Sequence, residues 1–275
     1  MNLRKFIFDG LNNANVEQSE ISAEVNFIMR NFLNIKNPYL DEIKLENKQD
    51  ELQNIFEKRK QGLPLQYILN KAEFMGEIFF VDENVLIPRP ETEILVLKTL
   101  ETANQINASK ILDIGTGSGC IAIMLKKNLP STNISSCDIS ENALNVAKEN
   151  SKNLNAEVNF IKSDLFENIQ NKFDIIVSNP PYIPPKEKEN IQREVSFEPD
   201  LALYTKDELG IEFYEKIIKQ AKTHLNNGGF LLFELGINQS DIVKSLFIDY
   251  NYNEIEIIKD LDGIDRVISA RIQNG

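Results

Sequence analysis

From residue 110 onward, short apolar runs alternate with segments of helical periodicity, and few architectures accept that alternation. Strands are expected over 110–114, 133–137, 158–161, 173–177 and 230–235, with helices over 120–128, 141–150, 211–225 and 239–247. Strands separated by helices pair in parallel and bury both faces of their sheet, which makes this region a doubly wound α/β fold. The last two apolar runs, 255–258 and 266–272, are joined through Asp262-Gly263 and are expected to pair antiparallel, leaving the sheet mostly parallel.

The chain before that region reads differently. Ile21, Val25, Ile28, Met29 and Phe32 recur at helical spacing, with Ser22 as the candidate N-cap. A second helix is expected over 50–59, ended by Gly62 and Pro64. Residues 74–81 read as two short strands turning at Gly76. The expected organisation is a small helical domain over 1–72, a hairpin linker over 73–90 and an α/β domain over 91–275. Docking a partner and capping the fold are equal readings of the helical domain, which carries no catalytic cluster.

With 275 residues, 42% of them apolar and 16 Phe, the chain can bury a sizeable core. No apolar run reaches the roughly 18 residues of a membrane span, and the N-terminus turns polar soon after Phe6. Cys120 and Cys137 fall in core segments and form no Cys-x-x-Cys pair, so a reduced, cytoplasmic protein is the simplest reading. The net charge of −12 weighs against nucleic acid as the main partner.

The fourth strand of the α/β region ends in Asn179-Pro180-Pro181-Tyr182. Proline has no N–H for a strand ladder, so pairing stops here and leaves polar groups at the carboxyl edge of the sheet, where ligands of open α/β sheets bind. A planar R–NH2 group suits this edge. Asn179 Oδ1 and the Pro180 carbonyl can each accept one of its hydrogens, and the Tyr182 ring can cover its face. The plainer reading is a strand stopped by prolines at a surface turn.

After the first strand of the region comes Asp113-Ile114-Gly115-Thr116-Gly117-Ser118-Gly119. Glycines at alternate positions let the backbone approach a ligand before the helix begins. The dinucleotide spacing Gly-x-Gly-x-x-Gly fails from Gly115, since Cys120 stands sixth, and no Walker lysine follows. Asp138 closes the next strand and is placed to accept hydrogen bonds from both hydroxyls of a ribose; otherwise it caps a helix, a role for which Ser140 competes. The third strand leads into Asp164-Leu165-Phe166, where a carboxylate and two apolar side chains can flank an adenine ring.

Read together, these segments resemble the peptide chain release factor glutamine methyltransferases, over nearly the whole chain. The likeness rests on Pro64-Leu65-Gln66-Tyr67-Ile68, Ile87-Pro88-Arg89-Pro90-Glu91-Thr92-Glu93, residues 111–121 and 177–183, Glu198-Pro199, Gly228-Gly229-Phe230 and Gly263-Ile264-Asp265-Arg266. Asn-Pro-Pro-Tyr alone is shared with adenine-amino DNA methyltransferases; the Pro-Arg-Pro-Glu-Thr-Glu run is more specific. The resemblance implies a Rossmann-like methyltransferase domain, S-adenosylmethionine as cofactor, and the Gly-Gly-Gln loop of a release factor as substrate. It assigns Gly115, Thr116, Gly117, Ser118, Gly119, Asp138 and Leu165, with Asn179, to the cofactor, and Asn179, Pro180, Pro181 and Tyr182 to the glutamine. One departure stands at Tyr204 to Gly210, where the family usually has a Gly-Gly-x-Asp-Gly-like turn.

An amide nitrogen is a poor nucleophile and needs orientation more than a base, so Asn179, Pro180 and Tyr182 are the expected catalytic groups. A ribosomal-protein glutamine or the exocyclic amine of adenine are alternative acceptors, and a non-catalytic binding module is a reading from another class. His224, the only histidine, is expected to end a helix, and Arg266 to pair with Asp262 or Asp265.

Overall fold

The computed structural model describes residues 3–35 and 48–273. The chain divides into two compact units, one of Met1–Lys71 with Gln192–Phe197 and one of Ala72–Ile191 with Glu198–Gly275. Six residues beyond 190 thus group with the helical unit, and the hairpin groups with the sheet; no local pattern in the sequence announces the first of these.

The helical unit holds α1 (Leu3–Asn13), α2 (Gln18–Asn31), α3 (Gln49–Lys60) and α4 (Leu65–Leu69). Leu3, Ile7 and Leu11 form one stripe of α1 and pack with Ile21, Val25 and Ile28 of α2 and Leu52, Ile55 and Phe56 of α3. Gly10 has no side chain because the Phe56 ring occupies its place, 2.3 Å from where a Cβ would sit. Ser22 is not the cap of α2: the helix starts a turn earlier, with Glu17 at the N-cap. Gly62, at φ +90°, ends α3 as its sequence suggests. Arg59 is buried at 2% exposure and pairs with Glu24 and Glu194, each at 2.6 Å.

The second unit opens with a hairpin of β1 (Ala72–Phe74) and β2 (Glu77–Phe79). Its two turn residues, Met75 and Gly76, take φ of +48° and +78°, the left-handed pair that matches the twist of the strands. Next come α5 (Pro90–Ile106), β3 (Lys110–Ile114), α6 (Cys120–Asn128), β4 (Asn133–Asp138), α7 (Glu141–Asn153), β5 (Asn159–Lys162) and β6 (Phe173–Ser178). After two 3₁₀ turns follow α8 (Asp200–Leu203), α9 (Glu212–His224), β7 (Leu225–Glu234), α10 (Ser240–Asp249), β8 (Tyr252–Lys259) and β9 (Asp265–Ile272).

Seven strands form one sheet in the order β5-β4-β3-β6-β7-β9-β8. The first five are parallel; β9 runs antiparallel to β7 and to β8. Alternation along each strand feeds two cores. Leu112 and Ile114 face α9 and α10 residues such as Ile217 and Phe247, while Ile111 faces α5 and α6 residues such as Leu95 and Ile123. The sheet is therefore covered on both sides, as a doubly wound fold requires.

β7 is longer than its apolar run suggests. It begins at Leu225 and carries Asn226-Asn227-Gly228-Gly229 as an irregular stretch, with β6 advancing from Phe173 to Ile175 while β7 advances from Leu225 to Phe230. Gly228 at φ +79° absorbs the extra residues, so the turn-like composition marks a bulge instead of a strand start. Arg266 pairs with Asp260 at 2.8 Å and Glu91 at 3.8 Å, not with Asp262 or Asp265, because Asp265 is taken by Lys259 at 2.6 Å.

Candidate active site

β3 lies between β4 and β6, and the chain proceeds outward from it in both directions, so the sheet reverses its strand order between β3 and β6. The carboxyl ends of two such strands diverge and leave a crevice. Ile114 pairs with Ser178 and Ser178 with Phe233, so the first residues beyond these positions, Gly115, Asn179 and Glu234, stand side by side at the crevice.

The glycine loop turns on backbone bonds. The N–H groups of Gly115 and Thr116 both donate to the Cys137 carbonyl, at 2.8 and 3.0 Å, and Gly119 N–H donates to the Thr116 carbonyl at 2.7 Å. Gly115 and Gly117 take φ of +79° and +51°, and a Cβ on either would meet nothing closer than the Asn179 carbonyl, 4.0 Å from Gly115. Both therefore face open space. Gly119 differs: its φ is +84°, and a Cβ would lie 2.9 Å from Ile123 and 3.1 Å from Ala147. It is the N-cap of α6, bare because α7 packs against it.

A cavity of about 320 Å³ fills the crevice. Gly115, Thr116, Gly117 and Ser118 line it, as do Asp138 and Leu165 and, across from them, Asn179, Pro180 and Pro181. Gly119 and Tyr182 are not among its described walls. Tyr182 is placed differently from the expectation. Its ring packs against the core formed with α9 and α10, and its carbonyl accepts from Gln239 Nε2 at 3.0 Å. The Pro180 carbonyl accepts no hydrogen bond from the described residues.

Asp138 accepts the Gly117 N–H at 3.0 Å and the Ser140 N–H at 2.9 Å. Burial raises its carboxyl pKa, and these N–H groups oppose the rise. Ser140, not Asp138, caps α7, accepting from Ala143 N–H at 3.2 Å. Beside Asp138 the apolar side chains of Ile139 and Leu165 line the cavity; Leu165 stands at φ +47°, a left-handed conformation rare for a branched residue. Behind the loop, Asp113 is fully buried, its Oδ2 accepting from Ser136 at 2.7 Å, and burial pushes its pKa to about 7. Burial also pushes the thiols of Cys120 and Cys137 upward, which leaves no thiolate nucleophile at the crevice.

The proline-rich run before α5 supplies the remaining wall. Pro90 is the first helical residue, where a missing N–H costs nothing. Arg89 pairs with the buried Glu198, whose other oxygen accepts the Ile87 N–H at 3.1 Å. Glu93 accepts the Met75 N–H at 2.8 Å, and Thr92 accepts from Asn179 Nδ2 at 3.3 Å. Sequence reading passed over Thr92, Glu198 and Glu234 as site residues. A signal existed for Glu234, a single carboxylate inside the apolar run Phe230-Leu231-Leu232-Phe233 and Leu235. None existed for Thr92, whose importance is a matter of register. His224 ends α9 and stacks on Phe166 at 4.6 Å, away from the cavity lining.

In the segment from Tyr204 to Gly210, Asp207 organises the turn. Its carboxylate accepts the N–H groups of Leu209, Ile211 and Glu212 at 3.2, 2.9 and 3.1 Å. Gly210, at φ +73°, leaves room for the Tyr182 carbonyl, which a Cβ would approach to 2.2 Å.

Residues 91–200 match the family described as Methyltransferase small domain. The release factor glutamine methyltransferase of Bacteroides thetaiotaomicron is 44% identical over 230 residues, 81% of each chain. That of Flavobacterium psychrophilum is 38% identical over 267 residues, 94% of each chain. A methyltransferase structure from Pyrococcus furiosus, 20% identical, superposes with a TM-score of 0.54 over 73% of this chain and 91% of that one, which shows the shared fold. With relatives this similar over this much of its length, the chain belongs to the release factor glutamine methyltransferase family.

Proposed function

We propose that this protein methylates the side-chain amide nitrogen of the glutamine in the Gly-Gly-Gln loop of a peptide chain release factor, with S-adenosylmethionine as the methyl donor. The observation that carries the reading is the convergence of two half-sites on one crevice: a bare glycine loop with Asp138 on one side, Asn179-Pro180 on the other.

The first half-site fits an adenosyl group. Gly115 and Gly117 offer a floor without side chains, Asp138 a carboxylate with lone pairs to spare for ribose hydroxyls, and Ile139 and Leu165 apolar walls for a purine. S-adenosylmethionine supplies an electrophilic sulfonium methyl when bound.

The second half-site orients the acceptor. Asn179 Oδ1 and the Pro180 carbonyl each take one hydrogen of the glutamine NH2, pinning the nitrogen and stabilising positive charge that develops on it. One of those hydrogens leaves as a proton after transfer, so no strong base is needed beforehand. Two acceptors also discriminate, because an alcohol or a tertiary amide cannot satisfy both.

The test is methyl transfer from labelled cofactor to purified release factor, ribosomal protein and duplex DNA. Label on the release factor glutamine, lost when that glutamine is replaced, is the expected result. Label on DNA adenine or on the ribosomal protein alone would overturn it.

A further inference from the structure

Asn179 can serve as an acceptor only if its carboxamide keeps one orientation, with the oxygen toward the cavity. A carboxamide alone has no preference for which end faces inward. The inward side is formed by Thr92, whose Oγ1 accepts from Asn179 Nδ2 at 3.3 Å, and by Glu234, whose carboxylate has the Thr92 and Asn179 side chains as hydrogen-bonding neighbours. Asn179 and Glu234 follow the paired residues Ser178 and Phe233 on adjacent parallel strands, so their side chains emerge on the same face of the sheet. Glu234 is 2% exposed and does not line the cavity, so it reaches the crevice only through its neighbours. A lone carboxylate in an apolar strand is costly to bury, and the packing of β7 does not require one.

We propose that Glu234 is a positioning residue: its ionised carboxylate, acceptor-only, holds the NH2 of Asn179 and the hydroxyl of Thr92 inward and leaves Asn179 Oδ1 facing the acceptor nitrogen. Protonated, Glu234 gains a donor, the inward side no longer selects NH2 over oxygen, and Asn179 loses its fixed sense. The inference rests on the proposed function for its kinetic consequence but not for its geometry.

Burial, the larger effect, raises the Glu234 carboxyl to about 7, while Thr92, Arg266 and Asn179 oppose the rise and Glu91 adds to it. The other titratable groups facing it are Tyr182, Tyr214 of α9 and Cys120 of α6, all shifted upward and silent near neutrality. Ionisation is complete only above that value, so the oriented state is populated on the alkaline side and lost as pH falls.

The experiment follows the Asn179 side-chain NH2 resonances of the full chain by nuclear magnetic resonance between pH 5.5 and 8.5, assigned by their loss in Asn179→Asp. A titration near neutrality that vanishes in Glu234→Gln is the expected result. Resonances that ignore both pH and the substitution overturn the proposal, and the wild-type titration stands even if the variant fails to fold. With release factor as acceptor, Glu234→Gln lowers kcat about 10²-fold with KM little changed and removes the acid-side decline. An unchanged kcat and pH profile overturn the proposal; a wild-type protein that titrates as expected but methylates no release factor overturns the proposed function alone.

Discussion

The backbone of Gly115 and the carbonyl of Asn179 meet where the two walls of the crevice join: a Cβ on Gly115 would sit 4.0 Å from that oxygen. The two halves of the site are thus fixed to each other by the pairing of β3 with β6, from Ile111 opposite Ile175 to Ile114 opposite Ser178, and not by a mobile loop. Sites built on strand ends hold their geometry with little freedom, which suits a reaction limited by alignment.

Asn179→Ala is expected to lower methyl transfer by about 10²–10³-fold, the loss typical of one preorganised polar partner. Affinity for S-adenosylmethionine should stay within a few-fold, since the carboxamide acts on the acceptor. Single-turnover kinetics beside calorimetric titration with cofactor separates the two effects.

The three glycines of the loop should respond differently to alanine. Gly119→Ala places a Cβ 2.9 Å from Ile123 and is expected to destabilise the fold by about 1–3 kcal/mol, visible in urea denaturation. Gly115→Ala meets no such obstacle, so its main effect is a methyl group in the cavity together with left-handed strain of about 1–2 kcal/mol. Its signature is weaker cofactor binding, by about tenfold or more.

Arg59→Met should destabilise the protein strongly, by about 3–5 kcal/mol, because it strands Glu24 as an unpaired, largely buried acid. Adding Glu24→Gln should recover part of that loss. Equal denaturation midpoints for the single and double variants would show that the pair is not coupled.

Asp113 carries a folded-state pKa near 7 against an ordinary value of 3.8. The native state therefore holds a proton that the unfolded chain releases between roughly pH 4 and 7, and the contribution of this group to stability falls as pH rises through that window. Asp113→Asn should remove up to about 1.4 kcal/mol per pH unit of that slope, so the variant gains on the wild type at pH 8 relative to pH 5. Denaturation curves at both values measure the difference.

The sheet was legible because its signal is local. Runs such as Ile111 to Ile114 and Phe173 to Val177 must be apolar to be buried on both faces, and the glycines and prolines that end them are required by the backbone. The crevice followed from those endings. What stayed hidden depends on register between distant segments. Glu234 reaches Asn179 only because β7 absorbs a bulge upstream, and Thr92 reaches it only because Pro90 sets where α5 begins. The aromatic ring of Tyr182 suits a ligand or a core equally well in sequence, and its packing against the core, with its carbonyl held by Gln239, depends on segments far away in the chain.

The helical unit draws six of its residues, Gln192–Phe197, from the stretch between β6 and α8. It is therefore discontinuous in the gene. A chimera that exchanges only the first 71 residues for those of a relative would leave Arg59's second partner, Glu194, behind in the recipient. Recombination of this module with a foreign methyltransferase body needs two matched segments, which makes it poor material for single-crossover shuffling.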